Sequence, residues 1–336
     1  MRPWIAAAAL VATGRLPHTA ASLPPRSGVR VSSLEAARPH PPATATAPPD
    51  LTVVVPAYNE EAAVGEEIDR LHAALGASAL AYEIVVVDDG SDDRTFEIAS
   101  GKRCTVLRHG ANRGYGAALK HGFARARSEW VAITDADATY PAAAIPELWA
   151  RRDEADMVVG ARTAAGAAIP LARRPAKWFL NRLASYLVGR RIPDLNSGLR
   201  LIRRADVQRF AHLLPDGFSF TTTITLALLA TGREVAYVPI GYAKRAGRSK
   251  IRPFHAYEFL LLVLRLVVLF QPLKVFLPLG ALCFAGGLAK FVYDLGIGNL
   301  SETAVMGFLA GLVIWTLGLL ADQNARLNLD RDAWRE

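Results

Sequence analysis

Leu51-Thr52-Val53-Val54-Val55-Pro56-Ala57-Tyr58-Asn59-Glu60-Glu61 is the stretch on which the fold turns. Leu51 to Val55 is apolar or β-branched and stops at Pro56, so it reads as a buried strand. Polar residues follow, and from Glu60 to Leu75 the apolar positions Val64, Ile68, Leu71 and Leu75 keep helical spacing. The pattern repeats downstream. Strands are predicted at Glu83–Val87, Thr105–Arg108, Trp130–Thr134 and Met157–Val159, with helices from Thr95 and over Gly116–Ala126 between them. Strands alternating with helices predict an α/β fold, a mostly parallel sheet covered on both faces. In such open sheets ligands bind beyond the carboxyl ends of the strands.

Three of those ends carry acids: Tyr58-Asn59-Glu60-Glu61, Asp88-Asp89-Gly90-Ser91-Asp92-Asp93 and Asp135-Ala136-Asp137. Asp135 and Asp137 are two apart, so extended backbone sends both carboxylates to one face. Without a cation they repel, and a hard divalent ion, Mg2+ or Mn2+, is the usual partner of one or two carboxylates plus substrate phosphates. Taken singly, Asp135-Ala136-Asp137 also suits a helix N-cap. Likewise Asp88 to Ser91 suits a turn, and Tyr58 is placed either to stack on a base or to cover the sheet edge. The coincidence of the three ends favours a site.

Composition narrows the class. The chain has 336 residues, 51% apolar and 21% charged, with a net charge of +8, and the apolar excess is concentrated after residue 256. No nucleic-acid reading motif accompanies the basic residues, many of which sit near the apolar tail. An anionic membrane surface or phosphate-bearing substrates account for them better than nucleic acid. The two cysteines, Cys104 and Cys283, do not suggest a disulfide, since the second lies in an apolar run. Residues 1–50 are Ala/Pro-rich and read as a disordered tail ahead of a domain at 51–252.

After that domain, 253–271 reads as an interfacial amphipathic helix with His255, Glu258 and Arg265 toward a common side. Within 272–323, Val275–Ala289 (extended through Tyr293) and Thr303–Ala321 are uncharged and read as two transmembrane helices, with Lys274 and Lys290 snorkelling. Trp315 and Phe308 either face lipid or pack on the first span. The connection Asp294–Glu302 lacks Lys and Arg while both flanks carry them. That asymmetry predicts cytoplasmic ends, including a tail at 324–336.

The motifs Val54 to Glu61, Val86 to Ser91, Asn112-Arg113-Gly114-Tyr115-Gly116 and Asp135-Ala136-Asp137, in this order, resemble those of family 2 glycosyltransferases, which have the GT-A fold. Asp194-Leu195-Asn196-Ser197-Gly198-Leu199-Arg200 and Arg245-Ala246-Gly247-Arg248-Ser249-Lys250 resemble the polyprenol-phosphate branch of that family. The resemblance covers roughly 51–325. It implies an inverting transfer from a nucleotide-sugar, UDP- or GDP-linked, to a polyprenyl phosphate at the cytoplasmic face of the plasma (inner) membrane. It implies that Pro56, Tyr58, Glu60 and Asp89 contact the nucleoside and that Asp135 and Asp137 hold the metal. Where dolichyl-phosphate mannose synthases have Leu-Gln after the second Asp, this chain has Ala138-Thr139. The processive-synthase signature Gln-x-x-Arg-Trp is absent.

A phosphate acceptor needs charge balance and positioning more than a base. Arg200, Arg245 and Lys250 are therefore expected to act on the reacting groups with Asp137. Arg162, Lys177, Asn181 and Ser197 are expected to hold the phosphate-bearing substrates. Three alternatives stand at this stage. One is transfer to a lipid-linked saccharide hydroxyl, using Asp194 or an acid of the 216–220 loop as base. The others are a nucleotidyltransferase and a non-catalytic membrane adaptor. Homo-oligomerisation is left open.

Overall fold

The computed structural model describes residues 47–163, 174–217, 219–243, 265, 267–298 and 301–329. The tail at 1–46, most of the interfacial segment at 253–271, Arg245, Lys250, the end of the 324–336 tail and the side chain of Lys177 lie outside the described residues.

The strands are β1 (Leu51–Ala57), β2 (Tyr82–Asp88), β3 (Thr105–Arg108), β4 (Trp130–Ile133), β5 (Met157–Ala161), β6 (Arg200–Arg203) and β7 (Val235–Pro239). They form one sheet in the order β3-β2-β1-β4-β6-β5-β7. Only β6 runs against the others, pairing antiparallel with β4 and β5. The helices are α1 (Val64–Gly76), α2 (Thr95–Ser100), α3 (Tyr115–Arg125), α4 (Ala144–Ala150), α5 (Arg174–Val188), α6 (Arg204–Arg209), α7 (Phe220–Ala230), α8 (Leu273–Ile297) and α9 (Glu302–Leu329).

Period-2 alternation divides the core between the two faces of the sheet. Leu51, Val53 and Val55 of β1 join Val64, Ile68, Leu71 and Leu75 of α1 on one face. Val54 joins Leu119 and Phe123 of α3, with α5 and α7, on the other. A Cβ on Gly122 would overlap Val54, so glycine lets α3 lie close on β1. The helix expected from Glu60 begins only at Val64. The delay has a local cause: Asn59 is left-handed, φ 54°, and the amides of Asn59, Glu60 and Glu61 donate to the side chains of Ser91, Thr95 and Asp93, between β2 and the first residue of α2.

Topology gathers the acidic strand ends. The carboxyl ends of β1, β2, β4 and β5 share one edge, and the reversed β6 starts there, with Arg200 opposite both Ile133 and Val159. The 194–199 segment therefore arrives beside Asp135.

Helices α8 and α9 are both long and apolar enough to cross a membrane. At about 1.5 Å per residue, the 25 residues of α8 exceed the roughly 30 Å hydrocarbon thickness. They pack through glycine: a Cβ at Gly307 would lie 2.6 Å from the Cα of Gly287, and one at Gly311 would lie 2.9 Å from the Gly280 carbonyl oxygen. Close backbone approach of this kind is how membrane helices associate without a hydrophobic driving force. Of the two placements open for Trp315 and Phe308, packing on the first helix is found. Trp315 Nε1 donates to the Leu277 carbonyl at 3.1 Å, and both rings contact Phe284. Lys274 Nζ donates to the carbonyls of Tyr186 and Leu187 at the end of α5. Gly307→Leu should overpack the helix contact by about 1–3 kcal/mol and lower the melting temperature in detergent. Gly286→Leu, with nothing within 4 Å of its Cβ position, should leave the melting temperature unchanged.

Candidate active site

The nucleoside side of the edge is a pair of loops stitched together. Asn59 N donates to Ser91 Oγ at 3.0 Å, and Asp92 N to Asn59 Oδ1 at 2.9 Å. Glu60 N donates to Thr95 Oγ1 at 2.8 Å, and Glu61 N to Asp93 Oδ2 at 3.2 Å. Tyr58, 36% exposed, stands on this shelf. Pro56 is buried within β1, and Glu60 is half-buried at the shelf. Asp89 is buried and takes three donors: His109 Nδ1 at 2.6 Å, Arg113 N at 2.9 Å and Gly114 N at 2.8 Å. The geometry makes it the clamp of the Asn112–Gly116 loop. That loop needs glycine: Gly114 has φ +106°, and a Cβ there would lie 2.5 Å from the Asp216 carbonyl oxygen.

Asp135 and Asp137 follow β4, both half-buried. Tyr115 Oη donates to Asp135 Oδ1 at 3.0 Å. Burial, and then the Asp135 charge, push the Tyr115 phenol well above its ordinary range, so it remains a donor. Gly198 abuts the other side, where a Cβ would come within 2.8 and 2.9 Å of the Asp135 oxygens. Asp137 Oδ1 accepts from Thr139 Oγ1 at 2.6 Å and from Thr139 N at 3.2 Å, in a turn whose Ala138 is left-handed, φ 55°. Thr139 thus braces the second carboxylate. Among the described residues no three acids, histidines or cysteines converge as a complete metal cage. Two hard carboxylates at the sheet edge fit a divalent ion whose remaining ligands would be substrate phosphate and water.

Glu67, on the apolar face of α1, lies beneath this pair and is fully buried. Burial first, then the charges of Asp137 and Asp135, outweigh Arg70 and the Thr134 hydroxyl and push its carboxyl from 4.5 to about 7.

The expected cations divide. Arg162, after β5, grips the fully buried Asp194 through Nε at 2.8 Å and Nη2 at 2.9 Å, and also reaches Asn196 Oδ1. Asn181 donates to the Pro193 carbonyl at 3.1 Å. Two expectations are corrected. Arg200 does not face a substrate: it is 0% exposed, and its guanidinium ties the Ser197 carbonyl to the Thr221 carbonyl and Thr225 Oγ1 of α7. Ser197 is equally buried, donating to the Gly160 carbonyl at 2.6 Å. Both are struts at the start of β6, because a reversed central strand leaves its approach loop inside the protein. Sequence reasoning gave no role to Tyr115, Glu67 or Arg70. The signal for Glu67 was available, as an acid between Val64 and Ile68 on the buried face of α1.

Gly198→Ala should displace Asp135 and lower turnover roughly a hundredfold, the scale of a 1 Å misplacement. Gly241→Ala, with an open Cβ position, should not. Because the Glu67 carboxyl is raised, the fold holds its proton in a range where the unfolded chain has released it. In EDTA its contribution to stability should therefore fall as pH rises from about 4.5 toward 7. Glu67→Gln should gain stability relative to the parent across that range in paired melting curves.

Residues 52–210 match the Glycosyl transferase family 2 sequence model, and residues 271–327 match that of the GtrB C-terminal hairpin. The chain is 36% identical to a Dolichyl-phosphate hexose transferase of Haloferax volcanii, over 61% of this chain and 88% of that protein. It is 31% identical to an Undecaprenyl-phosphate 4-deoxy-4-formamido-L-arabinose transferase of Pseudomonas paraeruginosa, over 83% and 86%. Against the Low-salt glycan biosynthesis hexosyltransferase Agl6 of Haloferax volcanii, 32% identical, it spans 51% of the relative's length. The fold is shared with mannosyl-3-phosphoglycerate synthase from Rubrobacter xylanophilus (TM-score 0.51, 23% identity, 67% of this chain and 74% of that one). It is shared also with Mycobacterium tuberculosis glucosyl-3-phosphoglycerate synthase, crystallised with Mn2+, uridine-diphosphate and phosphoglyceric acid (TM-score 0.52, 20% identity, 65% and 78%). With a mostly parallel sheet carrying paired aspartates at its edge and two apolar helices behind it, this chain belongs to glycosyltransferase family 2.

Proposed function

We propose that the chain is an inverting, multi-pass enzyme of the plasma (inner) membrane. It moves a hexose or related sugar from a UDP- or GDP-sugar to a polyprenyl phosphate, for cell-envelope glycan or glycoconjugate synthesis. The observation that carries this reading is the union, in one chain, of a family 2 catalytic domain with an apolar two-helix hairpin. Two relatives with substantial coverage are named for dolichyl- and undecaprenyl-phosphate transfers, which supports the same acceptor class here. Lys and Arg flank the hairpin but are absent from its short connection, which supports a cytoplasmic catalytic domain at 51–252. Exposed Trp178, Phe179 and Tyr186 on α5 lie on the helix whose last turn is tied to the start of α8, consistent with a site close to headgroups.

Asp135 and Asp137 would hold Mg2+ or Mn2+. Bound there, the ion supplies the positive charge that neutralises a departing diphosphate. Tyr58 and the stitched loops after β1 and β2 receive the nucleoside, Tyr115 fixes the orientation of Asp135, and Thr139 that of Asp137. The acceptor chemistry asks little else of the protein. A phosphate monoester has its second pKa at about 6 and is already anionic at neutral pH, so no base is required. The acids available for a base-dependent transfer to a sugar hydroxyl are engaged: Asp194 by Arg162, and Asp216 by Lys120 at 2.8 Å. Arg245 and Lys250 remain the proposed contacts of the lipid phosphate.

The test is a panel of UDP- and GDP-sugars with the purified full chain, a short polyprenyl phosphate and Mn2+ or Mg2+. One donor should yield an acid-labile sugar phosphate lipid, and Asp137→Ala should reduce the rate at least about a hundredfold. Equal product on an unphosphorylated prenol would overturn the acceptor assignment, and full turnover in EDTA would overturn the metal.

A further inference from the structure

Two side chains of α1 touch the segment that carries the paired aspartates, one at each end. Glu67 Oε1 lies 3.5 Å from Thr134 Oγ1, immediately before Asp135. One turn along the same helix face, Arg70 Nη1 donates to the Ala138 carbonyl at 2.9 Å, immediately after Asp137. The two are joined, with Arg70 Nη1 3.7 Å from Glu67 Oε2, an oxygen that is buried and has no closer hydrogen-bond donor. Ala138 is one of two non-glycine residues with positive φ among the described residues. An alanine there is sterically disfavoured by roughly 1–2 kcal/mol, so the turn persists only because neighbours hold it. Its holders are the Thr139–Asp137 bonds, Ala243 N on the Thr139 carbonyl at 3.0 Å, and Arg70. Of these, only Arg70 grips the left-handed residue itself.

We propose that Arg70, anchored by Glu67, is a positioning residue for the divalent cation: it holds the left-handed turn at Ala138 and so sets Asp137 relative to Asp135. The proposal rests on the reading of these aspartates as the cation site. It also makes a prediction whose sign separates it from simple electrostatics. Arg70 is a positive charge close to a cation site, and removing it should tighten cation binding if charge alone matters. If Arg70 positions the ligands, removing it weakens binding by the roughly tenfold to hundredfold typical of groups that orient metal ligands.

The experiment titrates Mn2+ into the detergent-solubilised full chain, alone and with UDP or GDP, and reads free Mn2+ by electron paramagnetic resonance beside a melting curve for every variant. Asp137→Ala should abolish the bound fraction. Arg70→Met should weaken Mn2+ at least tenfold, Arg70→Lys should recover most of the loss, and Glu67→Gln combined with Arg70→Met should lose no more than Arg70→Met alone. If Arg70→Met fails to fold, Arg70→Gln is read in its place. Unchanged or tighter Mn2+ binding in the folded Arg70 variant would overturn the positioning role while leaving the cation site standing. Equal binding by the parent chain and Asp137→Ala would overturn the cation site, and the proposal with it.

Discussion

Repulsion among carboxylates is the constraint from which the rest of this structure follows. A parallel sheet collects its strand ends on one edge, and here that edge holds Asp88, Asp89, Asp135, Asp137 and Asp194, with Glu67 beneath. Crowded acids in a partly dry place persist only if each is hydrogen-bonded, paired or neutralised by an ion. Most of them are met by the protein itself. Asp88 has Arg108 at 3.2 Å, Asp89 has His109 and two backbone amides, and Asp194 has a bidentate arginine. Asp135 accepts from the Tyr115 hydroxyl, and Asp137 from the hydroxyl and amide of Thr139. Asp88, Asp89 and Asp194 thus build the loops of this edge, and Asp135 and Asp137 are the pair proposed for the cation.

The same distinction explains what was legible in the sequence. Strand positions, the parallel sheet, the gathering of acidic strand ends on one edge and the apolar hairpin rest on periodicity and punctuation, which are local properties of the chain, and they were readable. Arg200 was not. A lone arginine after Ser197-Gly198 looks like a phosphate ligand until it is known that β6 is reversed between β4 and β5, which buries the approach to it. Nothing local signals that reversal. Glu67 and Arg70 escaped for another reason. Helical spacing identified the face that α1 buries, but only the tertiary arrangement shows which loop lies under that face.

Asp89 illustrates a third case. Its place in Asp88-Asp89-Gly90-Ser91 marks it as a candidate site residue, and the structure puts it on the shared sheet edge. Yet both its oxygens are spent on ordering the Asn112–Gly116 loop, whose Tyr115 then reaches Asp135. The acid at one strand end acts on the acid at another through the loop between them. Sequence motifs record that both matter; they do not record which residue touches the substrate and which holds the one that does.

The hairpin and the site are joined by a continuous run of hydrogen bonds. Lys274, at the start of α8, holds the carbonyls of Tyr186 and Leu187. Within α5, Ser185 Oγ accepts from Ile192 N at 3.0 Å, and Asn181 donates to the Pro193 carbonyl. The next residue is Asp194, gripped by Arg162 at the end of β5. Val267 and Phe270 add apolar burial against the same α5–α7 layer. On the proposed function, a flexible tether would let the sheet edge tumble relative to a bilayer, and a lipid phosphate held at headgroup depth would then meet it only occasionally. A hydrogen-bonded helix between hairpin and edge restricts that freedom, so under the same proposal part of the entropic cost of bringing acceptor and donor together is met in folding instead of at each turnover.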